Sequence, residues 1–364
     1  MTQDPGWAGA HGGAPYGGPA GWGPAGWGAP QPQTPEPGVI PLRPLQLGDI
    51  LGGAMSTVGR YWKQLLGTAA VVYGGAAAAL AAALGVLYAS FSGRIHGILH
   101  TPESSGVSWE QARPLVLSLS GVLLAAGLLS MVCTAMVCAA CATVLQEAVL
   151  GRPTTFRAVW RKAWSRLLPV IGTVLLCGLV VLVPLLVITG AATAVVVAAA
   201  DAHNTAAAIT VGVLGGLALV PSAVWLWVRF SLAPAAVVFE GQGPAGALRR
   251  SARLVRGSWW RVCGISLLAL AIGGLTGYFI QIPFTALGMF SGLSLHLDSG
   301  AEPSPARVLA TVAGYLAASL LGQTLSQIVS VTFSQLVTGL LYVDRRMRQE
   351  ELAPVLIEAA ARQY

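Results

Sequence analysis

The sequence predicts an all-α integral membrane protein. Its six transmembrane helices are expected as three helical-hairpin repeats, each preceded by a cytoplasmic amphipathic helix. Three observations predict this class. First, 55% of the 364 residues are hydrophobic, only 10% are charged, and mean hydropathy is +0.69. A soluble globule of this size needs far more charge to cover its surface, and disorder needs low hydrophobicity. Second, the charges mark off six uncharged runs: 64–93, 114–146, 167–200, 202–228, 262–297 and 308–343. A helix crosses a bilayer in ~20 apolar residues, so each run holds one crossing, and none comfortably holds two plus a turn. Only helices or closed barrels satisfy the backbone in lipid, and these runs are far too long for barrel strands. Third, the basic residues are placed asymmetrically, as described below.

Residues 1–38 form a low-complexity stretch, half of it Gly and Pro, with Pro-Ala-Gly-Trp-Gly repeated in tandem at 19–23 and 24–28. Such a segment cannot offset its chain entropy by burial and reads as a flexible cytoplasmic tail. Trp7, Tyr16, Trp22 and Trp27 offer stickers for a protein partner or the bilayer surface. The membrane domain is expected over 39–345, led by an interfacial helix at about 46–62 and followed by a short cytoplasmic segment, 346–364. No signal peptide is expected, since the first long apolar run begins near Leu65. The five cysteines, Cys133, Cys138, Cys141, Cys177 and Cys263, all lie in apolar runs, so no disulfide framework is expected. The abundance of Ala, Gly, Val and Arg, with Lys63 and Lys162 the only lysines, points to a GC-rich, actinobacterial genome.

Six crossings put both termini on one side. That side then carries eighteen of the 21 basic residues, including the 152–166 and 249–261 clusters and Arg345, Arg346 and Arg348. The other side keeps Arg94, Arg113 and Arg307 beside Glu103, Glu110, Asp201, Asp298 and Glu302. The positive-inside rule makes both termini cytoplasmic, in the cell (inner) membrane. Five or seven crossings would divide the Arg clusters.

A pattern recurs before each odd-numbered crossing: Trp62-Lys63-Gln64-Leu65-Leu66-Gly67, Trp164-Ser165-Arg166-Leu167-Leu168-Pro169 and Trp259-Trp260-Arg261-Val262-Cys263-Gly264. Each Trp follows a basic amphipathic stretch. In 246–261, Arg249, Arg253 and Arg256 share one helical face, and Leu248, Ala252, Val255 and Trp259 another. In 155–166, Phe156, Trp160 and Ala163 form the apolar side. The unit reads as an interfacial helix, an indole anchor at headgroup depth and two crossings, and spacings of 102 and 95 residues make three such units.

Several segments resemble a family. They are Ile40-Pro41-Leu42-Arg43-Pro44-Leu45-Gln46-Leu47-Gly48-Asp49-Ile50, Arg229-Phe230-Ser231-Leu232-Ala233-Pro234, the stretch Ala247 to Arg261, and Leu341-Tyr342-Val343-Asp344-Arg345-Arg346-Met347-Arg348. Together, over about 39–352, they look like actinobacterial polytopic proteins related to the membrane domain of glycerophosphoryl diester phosphodiesterase. The resemblance implies a membrane domain with a lipid-related or scaffolding role. In some relatives that domain is fused to a catalytic barrel. Such a barrel takes ~200 or more residues of alternating strand and helix, which no segment here supplies.

Several groups carry candidate chemistry. Gln323, Gln327, Ser330 and Ser334, spaced i, i+4, i+7 and i+11, make one polar stripe on the last helix, and Gln281 sits within the fifth. The stripe reads either as a lining for a polar path or as interhelical hydrogen-bond glue, worth ~0.6 kcal/mol per bond in membranes. No Asp, Glu, Lys or Arg lies within the six runs, which argues against proton or sodium coupling. His96 and His100 have helical metal-ligand spacing, yet Gly93, Gly97, Pro102 and Gly106 argue against a stable helix there, and no metal site is expected. Asp298 and Glu302 offer a carboxylate pair on another outer loop. Cys138-Ala139-Ala140-Cys141 lies mid-helix in lipid, where small-residue packing outweighs redox chemistry. Gly212 to Gly216 contains a GxxxG that serves either internal packing or dimerisation.

The basic residues Arg157, Arg161, Lys162, Arg249, Arg250, Arg253, Arg256 and Arg261 face the cytoplasm and suit anionic phospholipid headgroups, at about 1 kcal/mol each near the surface. No nucleic-acid-binding fold accompanies them. No catalytic residue, cofactor or metal is expected. The function expected is therefore a non-enzymatic membrane scaffold or accessory protein in contact with anionic lipid. The alternatives are a permease-like carrier of a small polar solute or lipid precursor, and a lipid hydrolase.

Overall fold

A computed structural model describes residues 44–99, 109–149, 151–201, 205–297 and 305–350. Of the sequence candidates, the tail over 1–38, His100, Glu103, Asp298 and Glu302 lie outside the described residues. All regular structure among the described residues is helical. The helices are α1 (Leu47–Leu99), α2 (Trp109–Val149), α3 (Phe156–Asp201), α4 (Thr205–Phe230), α5 (Ala233–Glu240), α6 (Pro244–Val255), α7 (Trp259–Leu297) and α8 (Pro305–Glu350). Six of them, α1, α2, α3, α4, α7 and α8, are long and apolar enough to cross a membrane, as the uncharged runs require.

Local chemistry sets the boundaries. At the start of α1 the carboxylate of Asp49 accepts the backbone N–H of Gln46 at 2.9 Å, half of a capping box. Thr155 caps α3, its hydroxyl accepting the N–H of Ala158 at 3.4 Å. The short helix α5, which sequence reasoning missed, has a proline in its first turn and ends at Gly241 in the left-handed region (φ 69°). A second left-handed glycine, Gly257 (φ 82°), turns the chain between α6 and α7.

The lead-in stretches differ from one another. Leu47–Arg60 joins the first crossing through a kink at Tyr61 (φ −117°, ψ 26°). Phe156–Arg166 is the uninterrupted start of α3. Only α6 stands as a separate helix, and its apolar residues Ala247, Leu248, Leu254 and Val255 are buried against protein, with Arg249, Arg253 and Arg256 outside. Helix α1 also runs past Gly93 and Gly97 to Leu99, against expectation.

The buried core lies at one pole, where α1, α3 and α7 begin and α2, α5 and α8 end. Leu45, Ile50, Leu145, Leu232, Leu336 and Tyr342 are fully enclosed there. In the other half the helices present Val86, Leu124, Val187, Leu217, Phe279 and Met289 outward. Such a surface suits hydrocarbon, which is as apolar as leucine and exerts no hydrophobic force for its burial. There, close approach comes from small residues. A Cβ on Gly273 would lie 3.1 Å from the carbonyl oxygen of Ser330, and one on Gly277 would strike the hydroxyls of Ser326 and Ser330, which brings α7 against α8. A Cβ on Gly215 would lie 3.0 Å from Ala192 of α3, so this glycine serves packing within the chain, whereas Gly216 of the GxxxG has nothing within 4 Å.

Candidate functional site

The basic pole gathers most of the candidate side chains, and it sorts them into two classes. One class is bound to the protein itself. The carboxylate of Asp344, fully buried near the end of α8, accepts the backbone N–H of Leu45 at 2.9 Å, Nε of Arg348 at 2.9 Å and Nη2 of Arg261 at 3.3 Å. The carbonyl of Leu45 in turn accepts Arg261 and Arg348, each at 2.7 Å. This clasp joins the segment before α1 to the start of α7 and the end of α8, across 299 residues of sequence.

A second network surrounds Glu240 at the end of α5. Its Oε1 accepts Nε of Arg250 at 3.0 Å and the hydroxyl of Tyr342, and Arg346 approaches to 3.6 Å. Gln242 donates to Oε2 at 2.8 Å. Glu350 pairs with Arg250 and, at 3.0 Å, with Arg346. Burial disfavours the Arg250 charge, but hydrogen bonds to Glu350 and Glu240 outweigh it and raise its pKa above the ordinary arginine value. Arg345 and Gln349 donate to the Leu254 carbonyl at 3.1 and 3.2 Å, satisfying an acceptor in the last turn of α6. Lys162 is also engaged, donating to Gln146 at 2.9 Å with Glu147 at 3.9 Å.

The other class is open. On α3, Phe156, Trp160 and Trp164 stack in sequence, with ring centroids 5.9 and 6.2 Å apart. The i, i+4 spacing places them on one face, and Arg157 and Arg161, also i, i+4, run beside them. Arg157, Trp160, Arg161 and Trp164 line a surface groove of about 360 Å³. Val159 and Ala163, on the adjoining face, are buried and seat this turn of α3 in the core. Both arginines are exposed and form no ion pair with a described residue. Arg249, Arg253 and Arg256 are likewise exposed on α6. Of the eight residues assigned to headgroups, Arg250 and Arg261 are thus held by carboxylates, because their faces of α6 and α7 meet α5 and α8 rather than the membrane surface.

The polar stripe of α8 divides. Ser330 donates to the carbonyl of Gly273 at 2.7 Å, and the Ser334 hydroxyl stands beside the same glycine. The Ser330 bond is glue between α7 and α8. Gln323 and Gln327 line a cavity of about 140 Å³ between α1, α2 and α8, while Gln281 lies half-buried on α7. Cys138 and Cys141 are enclosed, and Cys141 donates to the Thr332 carbonyl at 3.9 Å. His96 and Glu110 sit at the far ends of α1 and α2, away from the basic pole.

Sequence reasoning missed Asp344, Glu240 and Leu45. A signal was present: Glu240 is the only carboxylate between Asp201 and Asp298, and Asp344 immediately follows the last uncharged run. A lone acid among arginines at such a boundary marks an internal partner.

No curated protein matches the chain. No solved structure matches it either. A family profile does, across residues 46–343, from the first turn leading into α1 to the residue before Asp344. The chain therefore belongs to the family described as a domain of unknown function, DUF7847.

Proposed function

We propose that this membrane protein is a non-enzymatic accessory or scaffold component that holds anionic phospholipid headgroups at its basic pole, with the start of α3 as the principal contact. One observation carries the reading: Arg157 and Arg161 stand exposed beside a three-ring aromatic stack, without internal carboxylates, while Arg250, Arg261, Arg346 and Arg348 of the same pole are ion-paired. Guanidinium groups match phosphate oxygens in geometry and charge. Indole rings favour headgroup depth, and the first turn of a helix adds a positive dipole end. In this reading both termini lie on the cytoplasmic side of the cell membrane, and an engineered thiol at position 360 stays unlabelled by impermeant reagents on intact cells. The proposed kinship with the membrane domain of glycerophosphoryl diester phosphodiesterase adds a lipid-related setting and no activity.

The reading includes three hairpin units, and contacts at the pole support it. The third residue of each Trp-led motif reaches the segment that opens the following unit. Gln64 donates to the Thr154 carbonyl at 2.9 Å, the Arg166 guanidinium packs over Gly241, and Arg261 returns to Leu45 at 2.7 Å. The order is cyclic, as expected of three related units closed on themselves.

The test is native mass spectrometry of the protein extracted with its lipids and then supplied with phosphatidylglycerol. Arg157→Gln with Arg161→Gln should lower retention of the anionic lipid by roughly thirty-fold, from about 1 kcal/mol per basic residue. Unchanged retention overturns the proposal.

A further inference from the structure

We infer that the cavity between α1, α2 and α8 is a binding site for the uncharged, hydrogen-bonding end of a neutral lipid, of the diacylglycerol type, drawn from the leaflet opposite the basic pole. The inference is independent of the anionic-lipid reading. It begins with two amides. Gln323, exposed, and Gln327, half-buried, line the cavity, and neither side-chain carboxamide has a hydrogen-bond partner among the described residues. Of the neighbouring hydroxyls, Tyr73 bonds Thr134 at 3.2 Å and Thr324 the Leu320 carbonyl at 2.7 Å, while that of Ser130, also in the lining, has no partner among the described residues.

Depth makes this accounting matter. Tyr73 and Leu80, both in the lining, follow the Trp62 anchor by about 16 and 27 Å at 1.5 Å per helical residue. In a hydrocarbon core ~30 Å thick the cavity occupies the half away from the basic pole. An unpaired carboxamide there costs several kcal/mol unless an occupant supplies the missing bonds.

The lining also selects the occupant. No charged side chain reaches it, so a phosphate would be buried without a counter-ion. Ala76 and Leu129 supply an apolar floor. At about 140 Å³ the space holds a glycerol ester or hydroxyl but not whole acyl chains. Leu321 and Leu325 stand exposed beside Gln323 on α8 and offer those chains a lipid-facing flank. Ester carbonyls accept from the carboxamide N–H groups, and a free hydroxyl donates to the carboxamide oxygen.

A photoreactive diacylglycerol and a photoreactive phosphatidylglycerol, each added to the full-length protein in nanodiscs, test this. The diacylglycerol probe should label the α8 peptide containing Gln323 and Gln327, and the phosphatidylglycerol probe should label that peptide at least five-fold less. Gln323→Leu with Gln327→Leu should lower the diacylglycerol labelling at least five-fold. Ala76→Leu fills the space while keeping both amides, and should do the same. Thermal unfolding of each variant reports whether the fold persists. Equal labelling by the two probes overturns the inference. So does undiminished labelling in the cavity-filling variant, or no labelling of α8, which would leave water as the occupant.

Discussion

The arginines of α3 and those of α6, α7 and α8 share one pole of the molecule but stand in opposite states. Arg157 and Arg161 lie in an open aromatic groove, whereas Arg250, Arg261 and Arg348 are each joined to a carboxylate within 3.3 Å. The difference lies in the neighbouring helices. Helix α6 and the start of α7 pack near the ends of α5 and α8, which carry Glu240, Asp344 and Glu350. The outer face of α3 meets no such helix end. In one region a guanidinium holds the chain together, and in the other it is presented outward for phosphate.

Three variants test the distinction. The largest effect is expected from Asp344→Asn. Removing the charge leaves Arg261 and Arg348 facing the Leu45 carbonyl without a counter-ion, and breaking such a buried pair costs about 3–5 kcal/mol. Thermal unfolding in detergent should register the loss, and a parental midpoint would end the clasp reading. Arg250→Gln comes next. It leaves Glu240 and Glu350 short of their main cation, and an unsatisfied buried partner costs about 1–3 kcal/mol. Glu240 retains the Tyr342 hydroxyl and Gln242, which places this loss below that of Asp344→Asn. The smallest effect on stability belongs to Arg157→Gln with Arg161→Gln. Substitution at exposed sites away from internal partners shifts stability by less than about 0.5 kcal/mol, so this variant should separate lipid retention from folding. A marked drop in its midpoint would place the two arginines in the first class instead.

Much of the architecture was legible because lipid imposes one strong rule. Uninterrupted apolar length reads directly as a crossing, and the described residues of each uncharged run fall within one long helix. Helix α5 escaped notice because its eight residues, Ala-Pro-Ala-Ala-Val-Val-Phe-Glu, are too short to show a period and continue the apolar character of α4. The polar stripe was legible as a stripe and no further. Equal spacing along α8 says nothing of what lies opposite, and the structure sets Ser330 against Gly273 but Gln323 and Gln327 against a cavity.

The distribution of charge and hydropathy along the chain was enough to determine the membrane class, six long helices and a pole rich in arginine, because each is a property of contiguous residues. Tertiary structure alone decided which arginines are occupied. Asp344 meets Leu45 across 299 positions and Arg261 across 83, and Glu240 meets Tyr342 across 102. Such pairings depend on which helix ends come together in space, and local composition carries no record of that.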